Sequence, residues 1–204
     1  MFMHKKLCVL LAAATLAGTS SAQAQEVKPE RIRGDIVSFS GDILKVHRRS
    51  GSDASIAVKP DVTVSALKPM QLSDVKAGTY VGAPAITGTD GKLTASALLV
   101  FPDAARGTQE GHFAYDFGAS SSMTNANVDT IAMGVKGRDL TLSYKGGSNV
   151  VTVPENVPVV TFAPATRADL MAGKKVVVVV TPGQQGVFDA HVVLVEKDGV
   201  VPPL

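Results

Sequence analysis

The sequence predicts an all-β protein built from two copies of one small unit, preceded by a targeting segment. Two observations support this fold class. The chain matches itself when it is shifted by 95 positions. Within each copy, short runs that alternate apolar and polar residues are separated by glycine-containing turns, which is typical of strands and hairpins. The elements are taken below in chain order.

The first 24 residues have the three parts of a secretory signal peptide. A basic start is followed by an apolar run from Leu7 to Ala17 and by small residues that end in Ala22-Gln23-Ala24. The apolar run is shorter than the roughly 20 residues that a membrane-spanning helix needs. We expect cleavage after Ala24 and a periplasmic mature chain, with full secretion as the alternative. The only cysteine, Cys8, leaves with this segment, so the mature chain has no disulfide and no thiolate metal ligand.

The charge of the mature chain argues against a nucleic-acid partner. The whole chain has 20 Lys and Arg and 18 Asp and Glu, and losing Lys5 and Lys6 leaves 18 of each sign. A net charge near zero and the absence of Trp are unlike single-strand nucleic-acid binders, which use basic grooves and stacked aromatic rings. The longest uninterrupted apolar run after the signal, Val176 to Val180, is far too short to span a bilayer. We therefore expect a protein that is not membrane-embedded.

The internal repeat covers most of each copy without a gap over some 45 residues. Because its period exceeds the 20 to 50 residues of solenoid repeats, each copy is predicted to be a domain. The predicted units are the signal peptide 1–24, barrel one 25–101, a joining segment 102–127 and barrel two 128–204. The matching stretches are Ile56–Val64 with Val151–Val159, Asp74–Gly78 with Asp169–Gly173, and Leu93–Val100 with Phe188–Val195.

Each copy is predicted to have three strands, a short helix and two further strands. This is the order of the OB-fold, a small Greek-key barrel, so we predict two tandem OB-like barrels with a short helix each; two small β-sandwiches are the alternative. In the first copy the predicted strands are Ile32–Phe39, Ile43–His47, Ser55–Val58, Thr79–Ile86 and Leu93–Phe101, with the helical turn at Gln71–Gly78.

These motifs resemble an uncharacterised OB-like domain family of exported bacterial proteins. The resemblance lies in the Asp-hydrophobic-x-x-Gly pattern of Asp74–Gly78 before a valine-rich strand, and in the alanine-containing last strand. The joining residues Arg106–His112 and Ser122–Ala126 resemble tandem members of this group, which often carry a metal-transporter permease label. The resemblance implies an exported OB-like protein and gives a hint of metal, whereas the missing spanning segment argues against a permease.

The joining segment has no counterpart within the repeat, and its residues offer a candidate site. In an extended chain, alternation places aromatic rings on one face and possible metal ligands on the other. We expect the rings to pack between the barrels; the alternative is a site for a divalent metal or small ligand centred on Glu110 and His112. The aromatic residues are Phe113, Tyr115 and Phe117, and the metal candidates are Glu110, His112 and Asp116.

A second candidate is a basic face on the first hairpin. Basic residues alternate with apolar ones on both of its strands, so a barrel would present them together on its outer surface, where an anionic group could bind. The alternative is a solvated surface of mixed charge that includes Asp35 and Asp42. The candidate anion-binding or partner-binding residues are Arg31, Arg33, Lys45, His47 and Arg49.

No catalytic residues are predicted. Ser73 and Lys76 match a Ser-x-x-Lys nucleophile motif, but the second copy has Ala168 and Met171 at these positions, so the element has a structural role. We predict a non-enzymatic periplasmic binding or interaction module without a cofactor. Its expected partner is a cell-envelope protein or polysaccharide, and its oligomeric state is left open. The alternative function is a periplasmic metal or small-ligand binding protein that uses Glu110 and His112.

Overall fold

The computed structural model describes residues 28–134 and 137–203, so the predicted signal peptide 1–24 lies outside the described residues. Within them the protein is all-β, with fourteen strands and four single 3-10 turns. None of the described helices has the length and apolar character needed to cross a membrane. The strands are β1 Glu30–Ser40, β2 Ile43–Arg48, β3 Asp53–Ala57, β4 Thr63–Pro69, β5 Tyr80–Thr87, β6 Leu93–Ala95, β7 Leu98–Val100, β8 Gly111–Ala114, β9 Ser121–Gly134, β10 Gly137–Tyr144, β11 Gly147–Val153, β12 Val159–Pro164, β13 Lys175–Pro182 and β14 Phe188–Val195. The 3-10 turns are Leu72–Asp74, Asp103–Ala105, Arg167–Asp169 and Gln184–Gly186.

Five strands close into a β-barrel in which every strand has two hydrogen-bonded neighbours. β1 pairs with β2, β2 with β3, β3 with β14, β14 with β13, and β13 with β1. The β3–β14 pairing is parallel and the other four are antiparallel. Closure removes the exposed edges that so many β-branched residues would otherwise present for aggregation.

A second ring of pairings closes at the other end of the molecule. Here β9 pairs with β10, β10 with β11, β11 with β6, β6 with β5, and β5 with β9. The β11–β6 pairing is again the parallel one. The two rings thus share one order of strands, with three consecutive strands followed by two that come from elsewhere in the chain.

Each ring combines strands from both halves of the sequence. The first three strands of the first half close with the last two strands of the second half, and the reverse holds in the other ring. This pairing does not follow the predicted division into 25–101 and 128–204. The physical reason is β4, which leaves the first ring after β3 and runs antiparallel to β12 as a crossover. The chain that follows β4 therefore enters the other ring.

Alternating side chains fill each ring with its own apolar core, and both cores mix the two halves. The first ring encloses β-branched and leucine side chains of β1, β2, β3, β13 and β14, among them Ile36, Leu44 and Val178. The second ring encloses Val81, Leu140 and other residues of its five strands. A third cluster lies between the rings and joins them; its buried members are Leu67, Leu99, Tyr115, Met123, Val160, Val177 and Leu194.

Several local predictions differ from the structure. The predicted strand Leu93–Phe101 is two strands, β6 and β7, and neither β4 nor β12 was predicted. The predicted short helix at Gln71–Gly78 is a single 3-10 turn, Leu72–Asp74, although Gly78 does adopt the left-handed backbone expected after a helical turn (φ +85°). The joining segment 102–127 also ends earlier than predicted. β9 starts at Ser121 and pairs with β5 from there, because the chain folds back after β8 and forms a hairpin.

Candidate functional site

The candidate site lies where the joining segment crosses the outside of β1. On this strand Ile32 and Ile36 are buried in the first ring, so alternation directs Arg31 and Arg33 outward. These two arginines therefore lie on the outer face of β1. The joining segment then covers part of it, which brings side chains more than 80 residues apart into contact.

Arg33 is bound by the joining segment through a bidentate ion pair. Its guanidinium donates hydrogen bonds of 2.7 and 2.9 Å to the two carboxylate oxygens of Asp116, and one of 3.3 Å to the Tyr115 hydroxyl. The Arg33 side chain is only 10% exposed. Two parallel charge-assisted hydrogen bonds fix both distance and orientation, so this pair anchors the joining segment on the barrel.

Aromatic rings hold the guanidinium groups by stacking. The Arg31 Cζ lies 4.7 Å from the centroid of the Tyr115 ring, and the Arg33 Cζ lies 4.7 Å from that of Phe117. At the end of β2, the Arg48 Cζ lies 4.8 Å from the centroid of Phe188. A guanidinium stacked on an aromatic face keeps its planar edge of N–H donors available for a ligand.

The basic side chains surround one pocket of about 330 Å³. Four arginines line it against two carboxylates, so the pocket is electropositive. One donor is unused: the Nε of Arg48 is buried and has no hydrogen-bond partner among the described residues. A buried donor without a partner is costly in free energy. The lining residues are Glu30, Arg31, Ile32, Arg33, Arg48, Arg49, Ser50, Asp116 and Phe117.

The electrostatics of the Arg33–Asp116 pair follow from its position. Burial by itself would raise the pKa of Asp116, but the hydrogen bond and charge of Arg33, with the charge of Arg31, lower that pKa below its ordinary value of 3.8. Burial raises the pKa of the Tyr115 hydroxyl, which therefore stays a neutral donor and acceptor at physiological pH. The pocket wall thus carries an ionised Asp116 over the whole neutral range.

This pair makes stability depend on acid pH in a defined direction. Because the folded-state pKa of Asp116 is lowered, its stabilisation is complete above about pH 3.8 and is lost as pH falls through the folded pKa. We expect Asp116→Asn to lower the free energy of unfolding by about 1 kcal/mol at pH 7, and this difference to shrink below pH 4. Urea denaturation at several pH values measures it.

The matched control is Asp103→Asn, in the same segment. Its carboxylate is 96% exposed and bonds Arg106 at 3.1 Å, so this substitution should change the free energy of unfolding little at any pH. A wild-type-to-Asp116→Asn difference that stays constant from pH 7 to pH 3 would contradict the role given to the Arg33–Asp116 pair.

Two of the predicted basic residues lie outside the pocket. Lys45 is exposed on the same outer face, opposite Ser38 and Ser55 on the neighbouring strands. His47 bonds Asp53 through its Nδ1 at 2.7 Å. The structure thus brings Arg31, Arg33 and Arg49 of the predicted set to one pocket and leaves the other two further along the sheet.

The three predicted metal ligands do not converge. Glu110 accepts a hydrogen bond from the Lys145 backbone N–H at 2.9 Å, whereas the Nδ1 of His112 lies 2.9 Å from the Thr124 hydroxyl. Asp116 is bound to Arg33. Across residues 28–134 and 137–203, no group of three or more His, Cys, Asp or Glu side chains could hold a metal ion. The chain folds back at β8, but this hairpin directs the side chains to different partners.

The aromatic side chains of the joining segment pack against the inter-ring core, and Tyr115 and Phe117 also contact Arg33 beside Asp116. Tyr115 is buried in the third cluster, and Phe113 and Phe117 pack against it. Tyr115 and Phe117 also contact each other edge to face, with ring centroids 5.0 Å apart. These rings therefore connect the inter-ring core to the arginine-lined pocket.

Sequence reasoning missed Arg48 and its aromatic partner. Strict alternation places Arg48 on the inner face with Leu44 and Val46, where a charge is not expected. Because Arg48 is the last residue of β2, its side chain reaches the rim of the barrel and covers Phe188 of the distant β14. A basic residue at the inward-facing end of a strand was the available signal.

Comparison with protein-family models, with curated proteins and with solved structures finds no match. The candidate site is therefore defined by its geometry alone.

Proposed function

We propose that this protein is a non-enzymatic binding module of the bacterial cell envelope, which holds an anionic group of its partner in the arginine-lined pocket. The partner is an acidic polysaccharide of the envelope, with carboxylate, sulfate or phosphate groups as the recognised chemistry. The two rings serve as OB-like barrels, and the predicted signal peptide delivers the chain to the periplasm.

The observation that carries this proposal is the convergence of four arginines on one 330 Å³ pocket. Like charges in one place repel each other, so a purely structural cluster would be expected to pair each arginine internally. Arg33 is paired with Asp116, but the exposed side chain of Arg49 makes no hydrogen bond or ion pair among the described residues. The stacked rings fix the guanidinium planes before a ligand arrives, which lowers the entropic cost of binding.

Two further observations support a binding module over an enzyme. In each ring, three strands that are consecutive in the chain are followed by two other consecutive strands in reverse order, as in β1, β2, β3, β14 and β13. This order supports an OB-like barrel, a fold used to bind oligosaccharides and oligonucleotides. In the described residues the three histidines lie apart and have separate partners: His47 with Asp53, His112 with Thr124, and His191 with Thr181. None contacts a nucleophile and an orienting carboxylate together, as a catalytic triad requires.

The proposal predicts a specific effect of Arg49→Gln. We expect the mature protein to bind polygalacturonate or dextran sulfate, and this variant to bind about tenfold more weakly, because one charge-assisted hydrogen bond contributes about 1.5–3 kcal/mol. Isothermal titration calorimetry at low and at physiological salt measures the affinity. Binding should also weaken with added salt, since the pocket is at the surface.

The matched control is Lys45→Gln, which removes an exposed cation of the same face outside the pocket. The affinity of this variant for either polyanion should stay within about twofold of the wild-type value, since the Lys45 charge lies away from the pocket. Neutral dextran should not bind. Equal losses in the two variants would show general charge attraction rather than a pocket, and no binding of either polyanion would refute an acidic polysaccharide as the partner.

A further inference from the structure

A second site follows from comparing the two halves of the chain as two versions of one structure. The crossover strands pair as Pro69 with Val160 and Ser65 with Pro164. The two pairs are related by the 95-residue offset: Pro69 corresponds to Pro164, and Val160 corresponds to Ser65. The same offset relates two parallel pairings. In the pairing of β14 with β4, Val193 lies opposite Val64, and in the pairing of β7 with β12, Leu98 lies opposite Val159. Along the crossover strands and the strands beside them, a position in one half thus has its counterpart 95 residues away in the other.

In the second half, an ammonium group occupies a site at the end of the crossover strand. The Lys197 Nζ donates to the backbone carbonyl of Pro164 at 3.2 Å and to the Asp169 carboxylate at 3.2 Å. The two side chains are 33% and 21% exposed, so the pair is half-buried. Asp169 also accepts the backbone N–H of Thr166 at 2.7 Å, which fixes the carboxylate in place.

In the first half, the counterpart residues carry the same types of acceptor but no ammonium group. The counterparts of Pro164, Asp169 and Lys197 are Pro69, Asp74 and Pro102. A proline at the third position cannot supply a cation. The Asp74 side chain is exposed and makes no hydrogen bond or ion pair within the described part of the chain, and all three residues line one cavity of about 790 Å³.

The surroundings of this cavity suit an alkyl chain with a cationic end. Met70, Phe101 and Pro102 provide apolar surface, which long charged side chains cover with their methylene groups. Arg106 is already occupied, because it donates to the Gly78 carbonyl at 2.9 Å and pairs with Asp103 at 3.1 Å. Lys68 is the other cation of the lining, and it forms no ion pair with Asp74.

We propose that this cavity binds the side chain of a lysine from a partner protein, with its ammonium group between the Asp74 carboxylate and the Pro69 carbonyl. The partner's lysine would make the contacts to a carbonyl and a carboxylate that Lys197 makes within this chain. This site is separate from the arginine-lined pocket and does not depend on its ligand. It would give the module a protein-binding surface in addition to its anion-binding one.

Nuclear magnetic resonance titration of the ¹⁵N-labelled mature protein with the peptide acetyl-Gly-Lys-Gly-amide tests the proposal. We expect amide shifts confined to residues 69–80 and 100–106, with a dissociation constant in the millimolar range, and no shifts with the same peptide acetylated at the lysine Nζ. Asp74→Asn should weaken binding at least about fivefold. Asp61→Asn, which removes an exposed carboxylate outside the cavity, should bind as the wild type does.

A converse variant tests the same geometry by filling the site. Pro102→Lys restores the residue type of the second half, so its own ammonium should occupy the site, block the peptide and raise the melting temperature. Equal affinities of Asp74→Asn and Asp61→Asn, or equal binding of the acetylated peptide, would overturn the site. Tighter binding of n-butylamine than of the peptide would overturn the assignment to a partner's lysine. Unchanged melting temperatures of the two Asp variants show that folding is intact.

Discussion

Cutting the chain between Gly107 and Thr108 should yield two fragments, 25–107 and 108–204, neither of which folds alone, and which form one native-like complex when mixed. The reason is the exchange of strands between the rings. The first fragment has three strands of one barrel and the last two of the other, so each set lacks its closing partners. Unpaired strands leave backbone groups without hydrogen bonds and half of each core exposed.

Circular dichroism and sedimentation velocity measure this outcome. Each fragment alone should lack a cooperative thermal transition, whereas the equimolar mixture should sediment as a 1:1 complex and melt cooperatively. The cut falls in an exposed turn between the Asp103–Ala105 turn and β8, so the nick itself disturbs little. Cooperative folding of either fragment alone would mean that the strands pair within each half, as the repeat by itself suggests.

Gly34→Ala should cause the largest loss of stability among single substitutions at the described glycines of the first barrel. A Cβ at this position would overlap the backbone oxygen of His47 and lie 2.9 Å from a methyl group of Val46. Gly34 lies in β1 opposite Arg48 of β2, and both strands are held on their other sides by the closed ring. Because the clash is with backbone, no side-chain rotation relieves it.

We expect this substitution to lower the free energy of unfolding by about 3 kcal/mol or more, at the upper end of the range for overpacking. The midpoint of urea denaturation measures the loss. The control is Gly147→Ala, whose Cβ would lie 3.3 Å from the hydroxyl at the end of the Tyr144 side chain; this flexible contact should cost less than about 1 kcal/mol. Similar midpoints for the two variants would contradict the close approach of β1 and β2.

Much of the local structure follows from the sequence alone. Period-2 alternation locates several strands, and on the first hairpin it directs the basic residues Arg31 and Arg33 outward. These features are local, because a side chain's face on a strand depends only on its position along that strand.

The partners of these side chains are not local. Arg33 bonds Asp116, 83 residues away, rather than standing free for a ligand. Glu110 and His112 are two residues apart in sequence, yet they bond Lys145 and Thr124. Alternation gives the direction of each side chain but not the element that packs over it. The sequence therefore could not show that Glu110 and His112 are directed to different partners.

The sequence by itself determined the all-β class and the positions of several strands, but not those of β4 and β12. Only the tertiary structure decided which strands close which barrel. The two halves carry the same pattern of inward-facing apolar residues, so the last two strands of either half fit either ring equally well by pattern. The crossover of β4 against β12 breaks this equivalence, because it carries the chain from one ring to the other before the barrel can close.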